Sequence, residues 1–239
     1  AEVHAGIPLL AGARGRVNEV ATPQVHGPVI ERPADLLAAL QPYRRIAFDF
    51  DGTIYDTRDF ERPALSAVAA WLRERAASEL PGITEAMWAR RERDRHAPGL
   101  FDEQLALHGL PAAWGEECRA RFHAHDAQAL GSAASLRPLL EALERRGTRL
   151  ALVSNGVPAL QQRKLDRLGL AALFETRIFC DPAFPERLKP SSWAWSQLAA
   201  WRGAVETAYV GDDAVDAAFA AVGDARFFHF RFRSPTYAD

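Results

Sequence analysis

The distribution of apolar and polar positions divides the chain into three stretches with different periodicity. Residues 1–34 follow no clear period and contain many glycines and prolines, so we interpret them as an arm that packs on the body or on another subunit. Residues 58–131 show helical spacing of apolar side chains and no convincing strand. From residue 136 onward, short apolar runs alternate with helical segments.

Helical spacing predicts a set of helices in the second stretch. Their ranges are 63–80, 84–95, 102–108 and 112–130. Thr84 is a candidate N-cap for the second of these helices. Because a structureless loop of this length is uncommon, we interpret residues 58–131 as an inserted, all-helical subdomain.

Strands alternate with helices on both sides of this insertion. The predicted strands are 45–50, 149–153, 176–179, 208–210 and 226–230. The predicted helices are 35–42, 136–146, 158–168, 191–201 and 213–222. Such alternation is typical of a parallel sheet with helices on both faces. The sequence therefore predicts an α/β fold, with a Rossmann-like parallel-sheet core formed by 44–57 and 132–239, and an arm and short helix over 1–43.

Composition excludes several classes of protein. Hydrophobic residues make up 48% of the chain and charged residues 25%, which indicates a folded globular protein. The net charge of −2 gives no reason to expect a nucleic-acid partner, and no apolar run is long enough to span a membrane. Cys118 and Cys180 cannot form a disulfide framework, and neither has the context of a reactive thiolate. We therefore expect two inert thiols in a cytoplasmic protein.

Polar side chains follow the predicted strands at the edge where parallel sheets bind ligands. They are Asp49 and Asp51 after the first strand, Ser154 and Asn155 after the next, and Asp212, Asp213 and Asp216 after the strand at 208–210. Lys189 comes just before a predicted helix and is one of only two lysines in the chain, the other being Lys164. We expect these groups to meet at one edge of the sheet.

The residue types in this set favour phosphoryl transfer. Clustered carboxylates repel one another unless a cation lies between them, and hard oxygen ligands suit Mg²⁺. A carboxylate can attack phosphorus, while the Lys189 ammonium and the Ser154 hydroxyl are suited to hold phosphoryl oxygens. The residues themselves thus predict metal-assisted phosphoryl transfer.

Four ordered segments resemble the motifs of the haloacid dehalogenase-like hydrolase superfamily. They are Asp49–Thr53, Ser154–Asn155, Lys189–Pro190 and Gly211–Asp216. The resemblance covers roughly residues 45 to 230, and the helical insertion is similar to the cap of phosphoglycolate phosphatases and β-phosphoglucomutases. It implies a sheet with the first strand at its centre.

The resemblance also implies roles for the acidic residues. Asp49 would be the nucleophile that becomes an aspartyl-phosphate. Asp51 would protonate the leaving oxygen and then activate water, since one group can serve as acid and then as base. Mg²⁺ would be bound by the carboxylates of Asp49 and Asp212 and by the main-chain carbonyl of Asp51.

Further residues would hold the transferring phosphoryl group, according to the same resemblance. They are Ser154, Asn155 and Lys189, together with the backbone N–H groups of Gly52 and Thr53 acting as an anion nest. Asp213 or Asp216 would complete the metal shell or orient Lys189.

The function favoured by the sequence is that of a Mg²⁺-dependent phosphatase, a monomer or homodimer, acting on a small phosphorylated metabolite. A sugar phosphomutase would use the same nucleophile but keep the phosphoryl group for a second substrate hydroxyl. A haloacid dehalogenase would attack carbon and would need neither Asp51 nor the Gly211–Asp212 motif. A non-catalytic binding protein on this fold is the alternative from a different class.

Overall fold

The structure, a computed structural model, describes residues 29–94, 99–127, 130 and 135–237. Most of the predicted arm, residues 1–28, lies outside the described residues. The part of it that is described lies along the sheet edge, where the Ile30 N–H donates to the His229 carbonyl at 2.9 Å. Helix α1 follows at once, over Pro33–Ala39.

Five parallel strands form a single sheet. They are β1 (Arg45–Phe48), β2 (Arg149–Asn155), β3 (Thr176–Cys180), β4 (Thr207–Gly211) and β5 (Arg226–His229). Their spatial order is β3-β2-β1-β4-β5, so β1 occupies the centre. At the end of β1, Phe48 is in register with Leu152 of β2 and Val210 of β4. The predicted α/β, Rossmann-like fold is therefore confirmed.

Helices cover both faces of this sheet. After α1 come α2 (Arg58–Ala76), α3 (Ile83–Arg93), α4 (Leu100–Leu107), α5 (Gly115–Ala124), α6 (Arg137–Arg145), α7 (Pro158–Leu168), α8 (Trp193–Gln197) and α9 (Ala214–Val222). Successive side chains of a strand point to opposite faces. Ile46 and Phe48 accordingly pack in one apolar cluster with α1, α6 and α7, whereas Ala47 packs in a second with Trp195 of α8 and Phe219 of α9.

Helices α2 to α5 form a separate helical segment with its own apolar core. That core includes Leu65, Leu72, Ile83, Met87 and Leu105. The described residues between 58 and 130 contain helices and no strand, as the apolar spacing predicts. The division of the chain into a core and a cap at residues 58 and 131 stays a prediction.

Several predicted helix boundaries are wrong. Helix α2 begins at Arg58, before Pro63, and the added turn buries the Phe60 ring in the core. The residue before α3 is Gly82, in the left-handed conformation with φ 74°, so Thr84 is not the N-cap. Among the described residues of the range 112–130, only a short 3-10 turn and α5 are helical, and the range 191–201 is helical only at its centre.

Candidate active site

Three buried carboxylates meet at the carboxyl ends of β1 and β4. Asp49 follows β1, Asp212 follows β4, and Asp216 lies in the first turn of α9. One carboxylate oxygen of each lies within 4.8 Å of those of the other two, and all three residues are buried. We call these three residues the acidic cluster. Asp49 and Asp212 are predicted metal ligands, and Asp216 is predicted to complete the metal shell or to orient Lys189.

Lys189 bonds two members of the acidic cluster, Asp49 and Asp216, while the Asp212 carboxylate lies 3.3 Å from Arg231 Nε. Lys189 Nζ donates to Asp49 Oδ1 at 2.6 Å, to Asp216 Oδ1 at 2.7 Å and to the Tyr209 hydroxyl at 3.0 Å. Burial by itself disfavours the ammonium, but the charges of Asp216 and Asp49 outweigh it and hold the pKa of Lys189 well above its usual value. Lys189 is therefore a permanent cation in the site.

The surroundings of the Asp49 carboxylate carry more negative than positive charge, even with Lys189 beside it. Burial first, and then repulsion by Asp216 and Asp212, raise the pKa of Asp49 well above its usual value, although Lys189 opposes the shift. A divalent cation beside Asp49 and Asp212 would offset the same burial and repulsion. Carboxylate oxygens are also the ligands that Mg²⁺ prefers, so the donor set present here fits that ion.

Asp216 and Asp213, whose roles the sequence leaves open, have different hydrogen-bond partners. Asp216 Oδ1 accepts from Lys189 and from the Tyr209 hydroxyl, and its Oδ2 accepts from the Asp212 N–H at 3.0 Å. Asp213 Oδ1 accepts from the Asp216 N–H at 3.0 Å and so caps α9. Asp216 thus orients Lys189, and Asp213 fixes the start of the helix that carries Asp216.

Gly211 makes room for this arrangement. A Cβ atom at residue 211 would lie 2.4 Å from Asp216 Cβ and 2.5 Å from its Oδ2, closer than real Cβ atoms approach other atoms. The last residue of β4 must therefore be glycine for the Asp216 carboxylate to reach Lys189.

The Asp51 carboxylate makes its contacts on another side of the site. Its Oδ1 accepts from Lys164 Nζ at 2.8 Å and from the Tyr55 hydroxyl, and its Oδ2 accepts from Gln161 Nε2 at 2.6 Å. Gln161 and Lys164 both belong to α7. Sequence reasoning missed them, although the rarity of lysine in this chain was a signal that pointed to Lys164.

The structure places Ser154 and Asn155 at the end of β2, beside Lys189. Ser154 Oγ accepts from Gln161 Nε2 at 2.8 Å and lines the cavity described below. The Asn155 side chain instead binds the Lys189 backbone: its Oδ1 accepts from the Lys189 N–H at 2.8 Å and its Nδ2 donates to the Lys189 carbonyl at 3.3 Å. The Asn155 amide is thus used to hold Lys189 in place.

The backbone N–H groups of Gly52 and Thr53 make hydrogen bonds within the turn after β1. The Gly52 N–H donates to the Tyr55 carbonyl at 3.2 Å, and the Thr53 N–H donates to the Phe50 carbonyl at 3.3 Å. In this conformation the two donors stabilise the turn, and the anion nest expected at Gly52 and Thr53 stays a prediction.

A cavity of about 480 Å³ connects these groups to the helical segment. It is lined by Asp49, Asp51 and Lys189 and by Phe101 and Arg119 of the helical segment. Ligand pockets of a few hundred Å³ hold small organic molecules. A metabolite in this cavity would touch the acidic cluster and the helical segment at the same time.

The match to a known family covers most of the chain. Residues 43–224 match the haloacid dehalogenase-like hydrolase family. The chain belongs to this family. It is therefore a hydrolase of the haloacid dehalogenase-like type, as the four motifs indicate. No match was found among the curated proteins.

Solved structures of haloacid dehalogenase-like proteins share the fold. One assigned as a β-phosphoglucomutase from Thermotoga maritima is 17% identical, with a TM-score of 0.57, over 78% of this chain and 84% of that one. A predicted phosphoglycolate phosphatase from Haemophilus somnus is 18% identical, with a TM-score of 0.55, over 81% and 87%. A haloacid dehalogenase-like hydrolase from Bacillus subtilis, bound to magnesium, is 19% identical, with a TM-score of 0.51, over 77% and 87%.

Among the helices that the structure describes, none has the length and hydrophobicity needed to cross a bilayer.

Proposed function

We propose that this haloacid dehalogenase-like hydrolase is a Mg²⁺-dependent phosphatase that acts on a small phosphorylated metabolite through an aspartyl-phosphate on Asp49. The observation that carries the proposal is the buried contact of Lys189 with Asp49 inside the acidic cluster. A nucleophilic carboxylate beside a fixed cation and a candidate metal site is suited to attack a phosphoryl group, whose negative charge both cations would attract.

Mg²⁺ would be held by the carboxylates of Asp49 and Asp212 and by the main-chain carbonyl of Asp51. When bound, it would neutralise the charge on the phosphoryl oxygens and that of the carboxylates themselves. The charge excess around Asp49 supports this assignment.

The chain's own residues would carry out two steps. The Asp49 carboxylate attacks phosphorus while the ester P–O bond breaks, and the leaving oxygen takes the proton of the Asp51 carboxyl. Asp51, now a carboxylate, removes a proton from the water that attacks the phosphorus and releases Asp49. Lys189 and the Ser154 hydroxyl hold phosphoryl oxygens during both steps.

The helical segment would act as a cap that reads the leaving group. Its residues line the same cavity as Asp49, and they include the apolar ring of Phe101 and the cation of Arg119. Closure over a bound ester would exclude bulk water from the aspartyl-phosphate until the leaving group departs. The size of the cavity supports a metabolite rather than a protein as the substrate.

The proposal is tested by measuring phosphate release from p-nitrophenyl phosphate and a panel of phosphorylated metabolites, with Mg²⁺ and with chelator. We expect turnover with Mg²⁺, loss with chelator and recovery when Mg²⁺ is restored. Asp49→Asn should abolish turnover, whereas the control Asp166→Asn, at an exposed position on α7, should keep it. Turnover by Asp49→Asn, or no hydrolysis of any ester, would contradict the proposal, and a requirement for a sugar bisphosphate would favour a phosphomutase.

A further inference from the structure

We infer that Gln161 and Lys164 of α7 are positioning residues that fix the orientation of the Asp51 carboxyl for proton transfer to the leaving group. This inference rests on the proposed phosphatase function, and it concerns residues outside the four motifs. The argument starts from the two contacts that reach Asp51 from α7.

The two side chains hold different oxygens of the same carboxylate. Lys164 Nζ lies 2.8 Å from Asp51 Oδ1, and Gln161 Nε2 lies 2.6 Å from Asp51 Oδ2. Residues three apart lie on one face of a helix, so α7 presents both donors together. Because each oxygen accepts from a donor on α7, and Oδ1 also accepts from the Tyr55 hydroxyl, the plane of the carboxylate is fixed as well as its position.

Both donors are themselves held firmly. Lys164 is buried, and its Nζ lies 4.4 Å from the centre of the Phe60 ring of α2. Gln161 is buried more completely, at 1% exposure, and its Nε2 also donates to Ser154 Oγ at 2.8 Å. Gln161 therefore ties Asp51 to a residue proposed to hold the phosphoryl group.

The absence of a side chain at Gly156 leaves space for the Gln161 amide. A Cβ atom at residue 156 would lie 2.8 Å from Gln161 Nε2 and 2.9 Å from its Cδ. Gly156 also has a φ of 158°, a value at which other residues are strained. The turn after β2 is thus shaped so that the Gln161 amide can pass over it and reach Asp51.

Orientation matters for the first chemical step. As the bond from Asp49 to phosphorus forms, the electron pair of the breaking P–O bond moves to the leaving oxygen, which takes the Asp51 proton. A simple alkoxide is a poor leaving group without that proton, but p-nitrophenolate is stable without it. Misplacing the Asp51 carboxyl should therefore slow the cleavage of alkyl esters selectively.

The test compares kcat/KM for glycerol 2-phosphate and for p-nitrophenyl phosphate, since this constant reports the steps up to P–O cleavage. The variants are Lys164→Met and Gln161→Leu. For each, we expect kcat/KM to fall about 10- to 100-fold with the alkyl ester and by less than about threefold with the aryl ester. Matched controls on α7 are Arg167→Met, which breaks a half-exposed ion pair with Asp126, and Gln162→Leu, and both should leave the two esters unaffected.

Two results would overturn the inference: an equal fall with both esters in a variant that keeps the wild-type circular dichroism and melting temperature, or no fall with either ester. If Lys164→Met does not fold, Gln161→Leu tests the inference by itself. The same selective fall in kcat/KM is expected for it, and the same two results would overturn the inference. Failure of the wild-type protein to hydrolyse any ester of the panel would instead contradict the proposed function, so the two failures are distinct.

Discussion

The Lys189 ammonium lies 2.7 Å from the Asp216 carboxylate, and the two side chains are only 3% and 2% exposed. An ion pair so far from water is stable only when further hydrogen bonds satisfy its remaining donors and acceptors. Tyr209 and the Asp212 N–H supply such bonds. The pair therefore holds Lys189 in a fixed position in front of Asp49 whether or not a substrate is present.

Replacing Lys189 by methionine should destabilise the protein and abolish activity. The substitution leaves the buried carboxylates of Asp49 and Asp216 without the cation they share, and breaking a buried ion pair in this way costs about 3–5 kcal/mol of unfolding free energy. Mg²⁺ should restore part of the loss, because it would bind the Asp49 carboxylate. Urea unfolding with and without Mg²⁺ measures both effects, and Arg202→Met, at an exposed position, is the control. Unchanged stability would contradict the prediction.

Replacing Gly211 by alanine should affect both stability and activity. The new methyl group would overlap the Asp216 side chain, and forcing an extra methyl into a packed interior costs about 1–3 kcal/mol. Since relief of the overlap moves Asp216 away from Lys189, turnover should also fall. Chemical denaturation and steady-state kinetics on the same preparation test this, and a variant equal to wild type in both would show that the site tolerates a Cβ here.

The Asp56 carboxylate should make the protein more stable above pH 4 than below it. Burial acts to raise its pKa, but hydrogen bonds from Arg58 and from the Ser234 N–H, at 2.7 and 3.0 Å, outweigh burial and place the pKa below 3.8. A folded-state pKa below the unfolded one gives a stabilisation that is complete above the unfolded value and is lost as the pH falls through the folded value.

Asp56→Asn is the variant that tests this contribution. The free-energy difference from wild type in urea unfolding should be largest near neutral pH and should shrink as the pH falls below about 4. A difference that stays constant down to pH 3 would mean that the charge of Asp56 contributes nothing.

The two cysteines should be unreactive in the folded protein. Burial raises the pKa values of the Cys118 and Cys180 thiols to about 11, and both side chains are fully buried. Because the thiolate is the nucleophile, neither should react with Ellman's reagent at pH 8 until the protein is unfolded in guanidinium. Rapid release of thionitrobenzoate from native protein would contradict this, and Cys118→Ala and Cys180→Ala would identify the thiol responsible.

Much of the acidic cluster could be predicted from sequence for a simple geometric reason. The carboxyl ends of parallel strands meet at one edge of a sheet, so Asp49 after β1 and Asp212 after β4 had to be neighbours once the strands were recognised. Lys189 was identifiable because lysine is rare in this chain.

The contacts of Asp51 could not be predicted in the same way. They depend on how far α7 lies from the turn after β1, which is set by side-chain packing and not by periodicity. The hydrogen bonds of the Gly52 and Thr53 N–H groups could not be predicted either. They go to carbonyls within the same turn, and the sequence does not fix the conformation of that turn. The predicted start of α2 at Pro63 was wrong because a proline often lies in the first turn of a helix, whereas α2 begins five residues earlier, at Arg58.

The central place of β1 has a consequence for biosynthesis. This strand is translated before both of its neighbours, and one of them, β4, follows only after more than a hundred and fifty further residues. Until then β1 has an open flank of unpaired amide and carbonyl groups, which is the kind of edge that invites pairing between molecules. The nascent chain is therefore expected to depend on chaperones until β4 has been translated, and products truncated before residue 207 are expected to aggregate.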